Sequence, residues 1–500
     1  MMFSTEENSI SPKKKTTEQI PTSLLDLDMD SLVQCASRLN FQDVSNMAIT
    51  CKYLQEIAYS DSVWQTLFRE RWPPPIPYYS IQKSSVREAY MMRHNAVQQL
   101  KFEDPYVADF NLDLKAQDFM LLDKNEIIYS QGSLMNFLKI DNYRSEIEHR
   151  VIRNDHSAKI TCMRLFPVNG MPSDKNEIER NNTAVVTSSL DHSIRLWWKG
   201  SSYKCFRGHN GEVTTLSDKL LGNGHGRIFA SGGIDGSVCL WSLNPTGKRG
   251  QHASKAILYG HEKPVIMMSV ADHNCSLLVS ISEDSKARVW DTTKASADRS
   301  SCCVGMTTVR GAPVAMKSHE SLLYVAAGSS VVSIDLRTMR EVLSLTQESS
   351  LYSFDFLPSK SLICTGGTGS AFLWDIRKSS DSKAEPMVEL YGHRGPVKLL
   401  HMDAHKIVTG GPDDSYVNVW EPETGSCSNT LTCSPNDTND VDADDPGFGC
   451  SAFAVQGCRI VTAGIGEYCL LRYRDFDSAH CPVSYDSDSD SDSDSSKPVP

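Results

Sequence analysis

The sequence places a histidine, a serine and an aspartate in an order that would suit nucleophilic catalysis. His209 precedes an alternating apolar run, "ASGGIDGSVCLWSL" (230–243), which contains Ser231 and Asp235. In serine hydrolases the histidine takes the proton from the serine hydroxyl, and the aspartate orients the histidine. Such a triad is needed once, in one cleft. The first question is therefore whether these residue types recur.

They do recur, each time with a tryptophan. Three segments align without gaps and a fourth aligns with one inserted residue: "TSSLDHSIRLW" (187–197), "SGGIDGSVCLW" (231–241), "SISEDSKARVW" (280–290) and "TGGPDDSYVNVW" (409–420). Gly-His pairs at 208–209, 260–261 and 392–393 precede three of them, and His156 precedes the first. Repetition at a fixed period indicates a repeat architecture. It favours a structural role for these residues over a catalytic one.

Weaker copies fill the gaps between the strong ones. Residues 364–375 lack the aspartate, 325–336 lack the tryptophan, and 127–140 keep only the hairpin pattern. Residues 461–473 carry Tyr473 where the tryptophan is expected. A unit of about 40–45 residues divides the β-rich region, 106–476, into eight units better than seven, if 169–182 and the acidic 434–447 are insertions. Seven units stay possible.

The strong copies resemble the WD-repeat family, and the resemblance covers about three quarters of the chain. It implies an all-β propeller with four antiparallel strands per blade. It also implies a hydrogen-bonded chain from a Trp N–H through a Ser or Thr hydroxyl to a His and an Asp, because buried polar atoms need partners. The implied tetrads are His156, Thr187, Asp191, Trp197; His209, Ser231, Asp235, Trp241; His261, Ser280, Asp284, Trp290; and His393, Thr409, Asp413, Trp420.

Composition narrows the class of protein. A formal charge of −12 and a pI near 5.6 argue against nucleic acid as the main partner. No apolar run approaches about 20 residues, so no membrane span is expected. The N-terminus is no secretory signal, which places the chain in the cytoplasm, the nucleus or both. The fifteen cysteines have no C-x-x-C spacing and are expected to be reduced, with no metal and no cofactor.

The region ahead of the repeats has helical periodicity from Ile20 to Trp72. Its Ile20-Pro21, Leu24-Leu25 and "CKYL" (51–54) landmarks resemble the F-box. That resemblance implies docking on a Skp-type adaptor and, through it, on a cullin–RING core. The adaptor-binding residues it implies are Ile20, Pro21, Leu24, Leu25, Leu32, Leu39, Val44 and Trp64. The alternative is that these residues only pack the helical region against the rest of the chain.

The predicted protein is therefore multidomain: a small all-α F-box followed by the propeller. The expected order is a disordered N-terminus (1–18), the F-box (19–72), a proline-rich linker with a connecting helix (73–105), the propeller (106–476) and a disordered acidic Ser/Asp tail (477–500). Neither domain carries a phosphate loop or a unique nucleophile–base pair. No catalytic residue is predicted, so the chain is not expected to be an enzyme.

Together the two resemblances imply a substrate-recognition subunit of an SCF-type ubiquitin ligase, with an unknown protein substrate on the top face of the propeller. The rim positions expected to contact that substrate are Leu190, Ile234, Glu283, Pro412, Lys159 and Arg394. Two alternatives stay open. "WDIR" (374–377) is similar to a motif for the triple-propeller adaptor of another cullin ligase, with Arg377 in the key place. The chain can also be a non-degradative scaffold.

Overall fold

The computed structural model describes residues 27–71, 85–102, 105–112, 118–123, 125–140, 147–167, 183–198, 200–222, 228–243, 254–294, 302–378, 385–422, 424–433, 449–465 and 469–476. The chain forms two compact units, Met1–His94 and Asn95–Pro500. The predicted insertions (169–182 and 434–447), the predicted disordered N-terminus (1–18) and the predicted acidic tail (477–500) lie outside the described residues.

The first unit is helical. Its helices, together with the helix that leads into the second unit, are α1 (Met29–Ala36), α2 (Phe41–Thr50), α3 (Lys52–Ala58), α4 (Asp61–Arg71) and α5 (Val86–Phe102). Side-chain caps begin the first two helices: Asp28 accepts a hydrogen bond from the Ser31 N–H at 3.2 Å, and Asn40 accepts one from the Asp43 N–H at 2.8 Å. The helical periodicity of the sequence therefore corresponds to real helices.

The second unit consists of eight four-stranded antiparallel sheets, which confirms eight blades rather than seven. Strands of blades 1 to 4 are β2 (Phe119–Asp123), β3 (Glu126–Gln131), β4 (Leu134–Ile140), β5 (Ile147–Arg153); β6 (Ile160–Pro167), β7 (Thr183–Ser189), β8 (Ser193–Trp198), β9 (Ser201–Arg207); β10 (Val213–Leu216), β11 (Ile228–Gly233), β12 (Val238–Ser242), β13 (Ser254–Leu258); and β14 (Val265–Val270), β15 (Leu277–Ser282), β16 (Lys286–Asp291), β17 (Cys303–Thr308).

Blades 5 to 7 repeat the same order. Their strands are β18 (Pro313–His319), β19 (Leu322–Ala327), β20 (Ser330–Asp335), β21 (Arg340–Thr346); β22 (Ser353–Leu357), β23 (Leu362–Gly366), β24 (Thr368–Asp375), β25 (Val388–Pro396); and β26 (Leu399–Met402), β27 (Ile407–Gly410), β28 (Tyr416–Trp420), β29 (Cys427–Thr432). In each blade, consecutive strands pair in chain order. The first strand is the innermost one, because it contacts the first strands of the neighbouring blades.

Blade 8 closes the ring with strands from both ends of the repeat region. It contains β30 (Gly449–Gln456), β31 (Arg459–Ile465) and β32 (Cys469–Asp475), and its outer strand is β1 (Tyr106–Leu112). β1 pairs with β32 from Tyr106↔Asp475 to Leu112↔Cys469. Closure removes the two free sheet edges that an open array would leave.

The hydrophobic core lies between neighbouring blades. One cluster combines Phe166 and Leu196 of blade 2 with Phe229 and Trp241 of blade 3, all 2% exposed or less. Alternating apolar residues of each strand supply these contacts, which fixes the strand register. The tetrad serines and threonines lie within these strands, and the tetrad aspartates lie in the turns between them.

Candidate functional site

In blade 3 the predicted tetrad forms one hydrogen-bonded chain. The Trp241 indole Nε1–H donates to Ser231 Oγ at 2.7 Å, and Ser231 Oγ lies 2.7 Å from Nε2 of His209. Nδ1 of His209 lies 3.5 Å from Asp235 and 3.1 Å from Ser237 Oγ, which itself donates to Asp235. An ionised carboxylate only accepts, so Nδ1 carries the imidazole proton and Nε2 accepts from the serine.

Blades 2 and 4 repeat this arrangement with a direct contact between histidine and aspartate. In blade 2 the distances are 2.8 Å for Trp197–Thr187, 2.8 Å for Thr187–His156 and 3.0 Å for His156–Asp191. In blade 4 they are 2.8 Å for Trp290–Ser280, 2.7 Å for Ser280–His261 and 2.9 Å for His261–Asp284. The part of the chain that joins tryptophan, hydroxyl and histidine is thus the same in three successive blades.

Blade 7 corrects one residue of the sequence prediction. Nδ1 of His393 bonds Asp414 at 2.7 Å, not Asp413, while Thr409 joins His393 at 2.9 Å and Trp420 at 2.7 Å. The inserted residue lies between the threonine and the aspartate, so the spacing from aspartate to tryptophan is six residues, as in the other three tetrads. Counting back from Trp420 identifies Asp414. Asp413 is exposed beside Gly395.

Burial and charge in these tetrads oppose catalysis. Ser231, Ser280, Thr187 and Thr409 are all 0% exposed, and each hydroxyl already accepts from a tryptophan. Burial lowers the pKa of His156, His209 and His261, which keeps these rings neutral at pH 7. Burial opposes ionisation of Asp191, but hydrogen bonds from Ser193, Ser157 and His156 hold its pKa well below the ordinary value. The tetrads stabilise the blades.

In blades 3 and 4 the glycine of the Gly-His pair is required for steric reasons. A Cβ on Gly208 would lie 2.9 Å from the Trp241 ring, and one on Gly260 would lie 2.8 Å from the Trp290 ring. Real side chains do not tolerate such contacts, so the tryptophan can lie across the loop only where glycine stands. The pair is therefore a packing requirement of the tetrad.

Blade 6 keeps the chain with different residues. Trp374 donates to Thr365 at 3.0 Å, and Thr365 Oγ1 donates to Oε1 of Gln347 at 2.8 Å. Gln347 stands in the histidine position, and its amide donates to the carbonyl oxygen of Ser349. Sequence reasoning missed Gln347 because it searched for histidine. A search for any buried acceptor after the outer strand of the preceding blade would have found it.

Blade 8 corrects a second position. In blade 3 the tryptophan lies two residues after Cys239, the strand partner of Ser231. In blade 8 the partner of Thr462 is Arg472, so the tryptophan position belongs to Arg474 rather than to Tyr473. Arg474 Nη1 donates to Thr462 Oγ1 at 3.1 Å, as the indole does elsewhere. Tyr473 is fully buried in the core instead.

The predicted rim residues lie at the end of the propeller that carries the tetrad loops, here called the upper rim. Ile234, Glu283, Lys159 and Arg394 are exposed, whereas Leu190 and Pro412 are half-buried. Lys159 is already paired with Asp118 at 2.7 Å. Because Asp414 is the tetrad residue, the position before it is Asp413 rather than Pro412. The rim is thus mixed apolar and charged.

An open cleft of about 370 Å³ lies on the upper rim between blades 2 and 3. Ser157, Leu190, Asp191, His192, Arg207 and His209 line it. Both oxygens of Asp191 accept from blade 2, from Ser157 N at 3.0 Å and from Ser193 N at 2.9 Å among others. Arg207 is exposed and has no ion-pair partner among the described residues. The charged group left to bind a ligand in this cleft is therefore the Arg207 guanidinium.

The described adaptor-binding candidates are buried or half-buried in the helical unit. Leu32, Val44 and Trp64 are 1%, 0% and 2% exposed in the core of the helical unit, and Leu39 packs partly buried against that core. The Trp64 indole donates to the Ala58 carbonyl at 2.7 Å. Ile20, Pro21, Leu24 and Leu25 lie outside the described residues. The described side chains therefore pack inside the helical unit itself.

Arg377 of the "WDIR" segment forms a local ion pair. Its Nε lies 3.2 Å from Asp375, and a second nitrogen donates to the Lys360 carbonyl. The guanidinium nevertheless remains 70% exposed. This geometry is that of a turn stabilised by its own aspartate, and it repeats in blade 5 between Arg337 and Asp335 at 3.3 Å.

Comparison with known protein families identifies two of the repeats. The model of the WD domain, G-beta repeat, matches residues 200–242 and 253–291, which contain the tetrad tryptophans Trp241 and Trp290. The chain contains WD40 repeats. The crystal structure of the computationally designed Ika8 protein covers 73% of this chain and 98% of its own, with a TM-score of 0.52 and 15% identity. At that identity the likeness shows the fold alone.

Curated relatives are also WD-repeat proteins of low identity. The ribosome biogenesis protein YTM1 of Meyerozyma guilliermondii is 24% identical over 59% of this chain and 68% of its own length. Proteins of the same name from other fungi match at similar identity, and for those of Vanderwaltozyma polyspora and two further yeasts the match spans 65% of the relative. The WD repeat-containing protein AAC3 of Dictyostelium discoideum is 21% identical over 53% of this chain and 58% of its own.

These findings overturn the predicted role in ubiquitin transfer. No F-box is identified in the chain, and the relative that recurs is the ribosome biogenesis protein YTM1 rather than an F-box protein. The SCF substrate receptor is therefore a wrong interpretation, and the comparisons identify no F-box in the helical unit. The helical period of apolar residues in this region is one that any small helical bundle with its own core produces.

Within the described ranges, two further features are relevant to function. No group of three or more His, Cys, Asp or Glu side chains there is arranged to hold a metal ion. No helix among the same residues has the length and apolar character needed to cross a membrane.

Proposed function

We propose that this chain is a non-catalytic WD-repeat scaffold that holds protein partners during ribosome assembly. The observation that carries the proposal is the recurring match to YTM1 ribosome biogenesis proteins over 50–59% of this chain, at 22–25% identity. The internal use of every tetrad side chain supports a binding role rather than a reaction. A nuclear location follows from the proposal.

The partner chemistry follows from the upper rim. The cleft between blades 2 and 3 presents Arg207 and His192, while the charge of Asp191 is offset by the donors of its own blade. A guanidinium pairs with a carboxylate in two parallel hydrogen bonds. The exposed Ile234 beyond the cleft adds an apolar contact. The rim therefore suits an acidic segment of a protein with one apolar anchor, and it does not suit the polyanionic backbone of RNA, because the chain carries a net charge of −12.

The experiment is affinity purification of the tagged full chain from cells, followed by hybridisation with probes for the precursor and mature forms of ribosomal RNA. A scaffold in ribosome assembly is expected to enrich precursor over mature ribosomal RNA at least about tenfold relative to an untagged strain. Equal recovery of the two forms in tagged and untagged samples would overturn the proposal.

A further inference from the structure

Charge is distributed unevenly along the chain. Residues 192–261, from the turn before β8 to the loop after β13, contain nine Lys and Arg against three Asp and Glu, although the whole chain carries a net charge of −12. Residues 485–496, "YDSDSDSDSDSS", contain five Asp and no Lys or Arg. One chain therefore combines a basic region with a strongly acidic segment.

Four cations lie on the outer strands of blades 1 to 3 and are here called the basic strip. Arg153 ends β5, Lys204 and Arg207 belong to β9, and Lys255 belongs to β13. Arg153, Arg207 and Lys255 are exposed and Lys204 is half-buried. Within the described ranges no carboxylate forms an ion pair with any of the four. The strip therefore presents uncompensated positive charge on the outside of the propeller.

Two of these cations are held in place by neutral acceptors. Arg153 Nε donates to the carbonyl oxygen of Gly200 in blade 2 at 2.9 Å, and Lys204 Nζ donates to the carbonyl oxygen of Leu243 in blade 3 at 3.0 Å. A carbonyl oxygen fixes the position of a cation without cancelling its charge. Arg207 lines the cleft of the upper rim, so the strip ends at that cleft.

The acidic segment has the length and the spacing to bind this strip. Phe476, the last described residue, follows β32 of blade 8, and one to three blade interfaces separate blade 8 from the strip. Packed sheets lie about 10 Å apart. An extended chain covers about 3.3 Å per residue, so Asp486 can lie about 33 Å from Phe476 and Asp494 about 60 Å. Aspartate at every second position places all five carboxylates on one face of an extended segment.

We propose that residues 485–496 bind the basic strip of their own chain, with the aspartates facing Arg153, Lys204, Arg207 and Lys255. A tethered segment has an effective concentration of about 1 mM at its site. A contact with a Kd of about 0.1 mM is then occupied about ten to one. Binding at Arg207 covers the charged group of the rim cleft, so the segment competes there with an acidic partner. That competition rests on the proposed function, whereas the binding within the chain does not.

The test measures binding of a fluorescein-labelled peptide of residues 483–497 to the purified full chain by fluorescence anisotropy. It compares the wild type with a full-chain variant in which the five aspartates are neutralised: Asp486→Asn, Asp488→Asn, Asp490→Asn, Asp492→Asn and Asp494→Asn. The peptide is expected to bind the variant at least about tenfold more tightly, because the variant's own segment no longer occupies the strip. The same peptide with all five aspartates replaced by asparagine is expected to bind neither chain.

Charge reversal locates the contact. Added to the neutralised variant, Arg207→Glu is expected to weaken peptide binding at least about tenfold, whereas Arg340→Glu, on outer strand β21 of blade 5, should leave it unchanged. Equal peptide affinity for the wild type and the neutralised variant would overturn the proposal, and so would an equal effect of the two charge reversals. These measurements contain no ribosomal RNA, so their failure leaves the role in ribosome assembly to its own experiment.

Discussion

At the scale of single residues, the tetrads use the residue types of a catalytic triad to stabilise the fold. A buried hydroxyl, imidazole and carboxylate are each costly without partners, yet in blade 4 all of them are satisfied within one chain ending at the Trp290 indole. The same chain tolerates an amide in place of the imidazole in blade 6 and a guanidinium in place of the indole in blade 8, because only donor and acceptor positions must match. A catalytic triad would not accept these replacements.

Two neighbouring aspartates of blade 7 provide a matched test of the tetrad. Asp414 accepts from His393 at 2.7 Å and from the Arg394 N–H at 2.8 Å, whereas Asp413 is exposed. Asp414→Asn places an NH₂ group, itself a donor, against one of these two donors. We therefore expect the free energy of unfolding to fall by about 1–3 kcal/mol. Asp413→Asn is expected to change stability by less than about 0.5 kcal/mol. Urea unfolding followed by tryptophan fluorescence measures both, and equal losses would contradict the assignment.

The sequence predicts residues well where spacing is constant. Aspartate and tryptophan are six residues apart in all four tetrads, so Asp191, Asp235 and Asp284 were identifiable. Asp413 was chosen wrongly because the insertion of blade 7 was counted on the wrong side of the aspartate. Gln347 and Arg474 were missed because each takes over the hydrogen-bonding role of the expected residue with a different residue type.

At the scale of secondary structure, the number of blades followed from the repeat period even where copies were weak. Each blade is a hairpin pair whose alternating residues face the neighbouring blades, and this pattern persists where the tryptophan is lost, as in β19–β20. The helical unit shows the opposite case. Its periodicity predicted helices, but it could not tell an exposed docking face from a core, and Leu32, Val44 and Trp64 belong to the core.

In blades 2, 3 and 4 the residue after the tetrad aspartate is left-handed, and two of these blades use a residue other than glycine there. Ser285 has φ 62° and His192 has φ 63°, while blade 3 has Gly236 at φ 71°. Left-handed backbone destabilises the folded state by about 1–2 kcal/mol when the residue is not glycine. Replacing that residue by glycine relieves this strain, but about 0.5–1 kcal/mol of the relief is lost because glycine gives the unfolded chain more conformational freedom. We expect Ser285→Gly to stabilise the propeller by about 0.5–1 kcal/mol, measured by urea unfolding.

The reverse substitution is the control. Gly236→Ser introduces the same left-handed cost and also a Cβ that would lie 2.6 Å from the His261 carbonyl oxygen in the next blade. It is expected to destabilise by more than about 1 kcal/mol. If Ser285→Gly destabilised the protein as well, backbone strain at this turn would be disproved.

At the scale of the whole molecule, the propeller is closed by an early strand and a late one. Arg472 on β32 pairs with both carboxylate oxygens of Asp109 on β1 at 2.7 Å, which adds a two-point ion pair to the strand register. A closed ring presents its loops on a fixed frame, and binding residues are commonly carried on such loops. The upper rim is therefore the surface on which the proposed scaffold holds its partners.

The sedimentation of rim variants in a cell lysate tests this account most directly. The wild-type chain is expected in heavy sucrose-gradient fractions that contain precursor ribosomal RNA, and ribonuclease should return it to the top. Arg207→Glu reverses the free charge of the rim cleft, so we expect its share in the heavy fractions to fall at least about fivefold. Arg340→Glu makes the same charge change at an exposed position of outer strand β21 and should behave as wild type. A wild-type chain found only at the top, or an equal response of the two variants, would contradict the account.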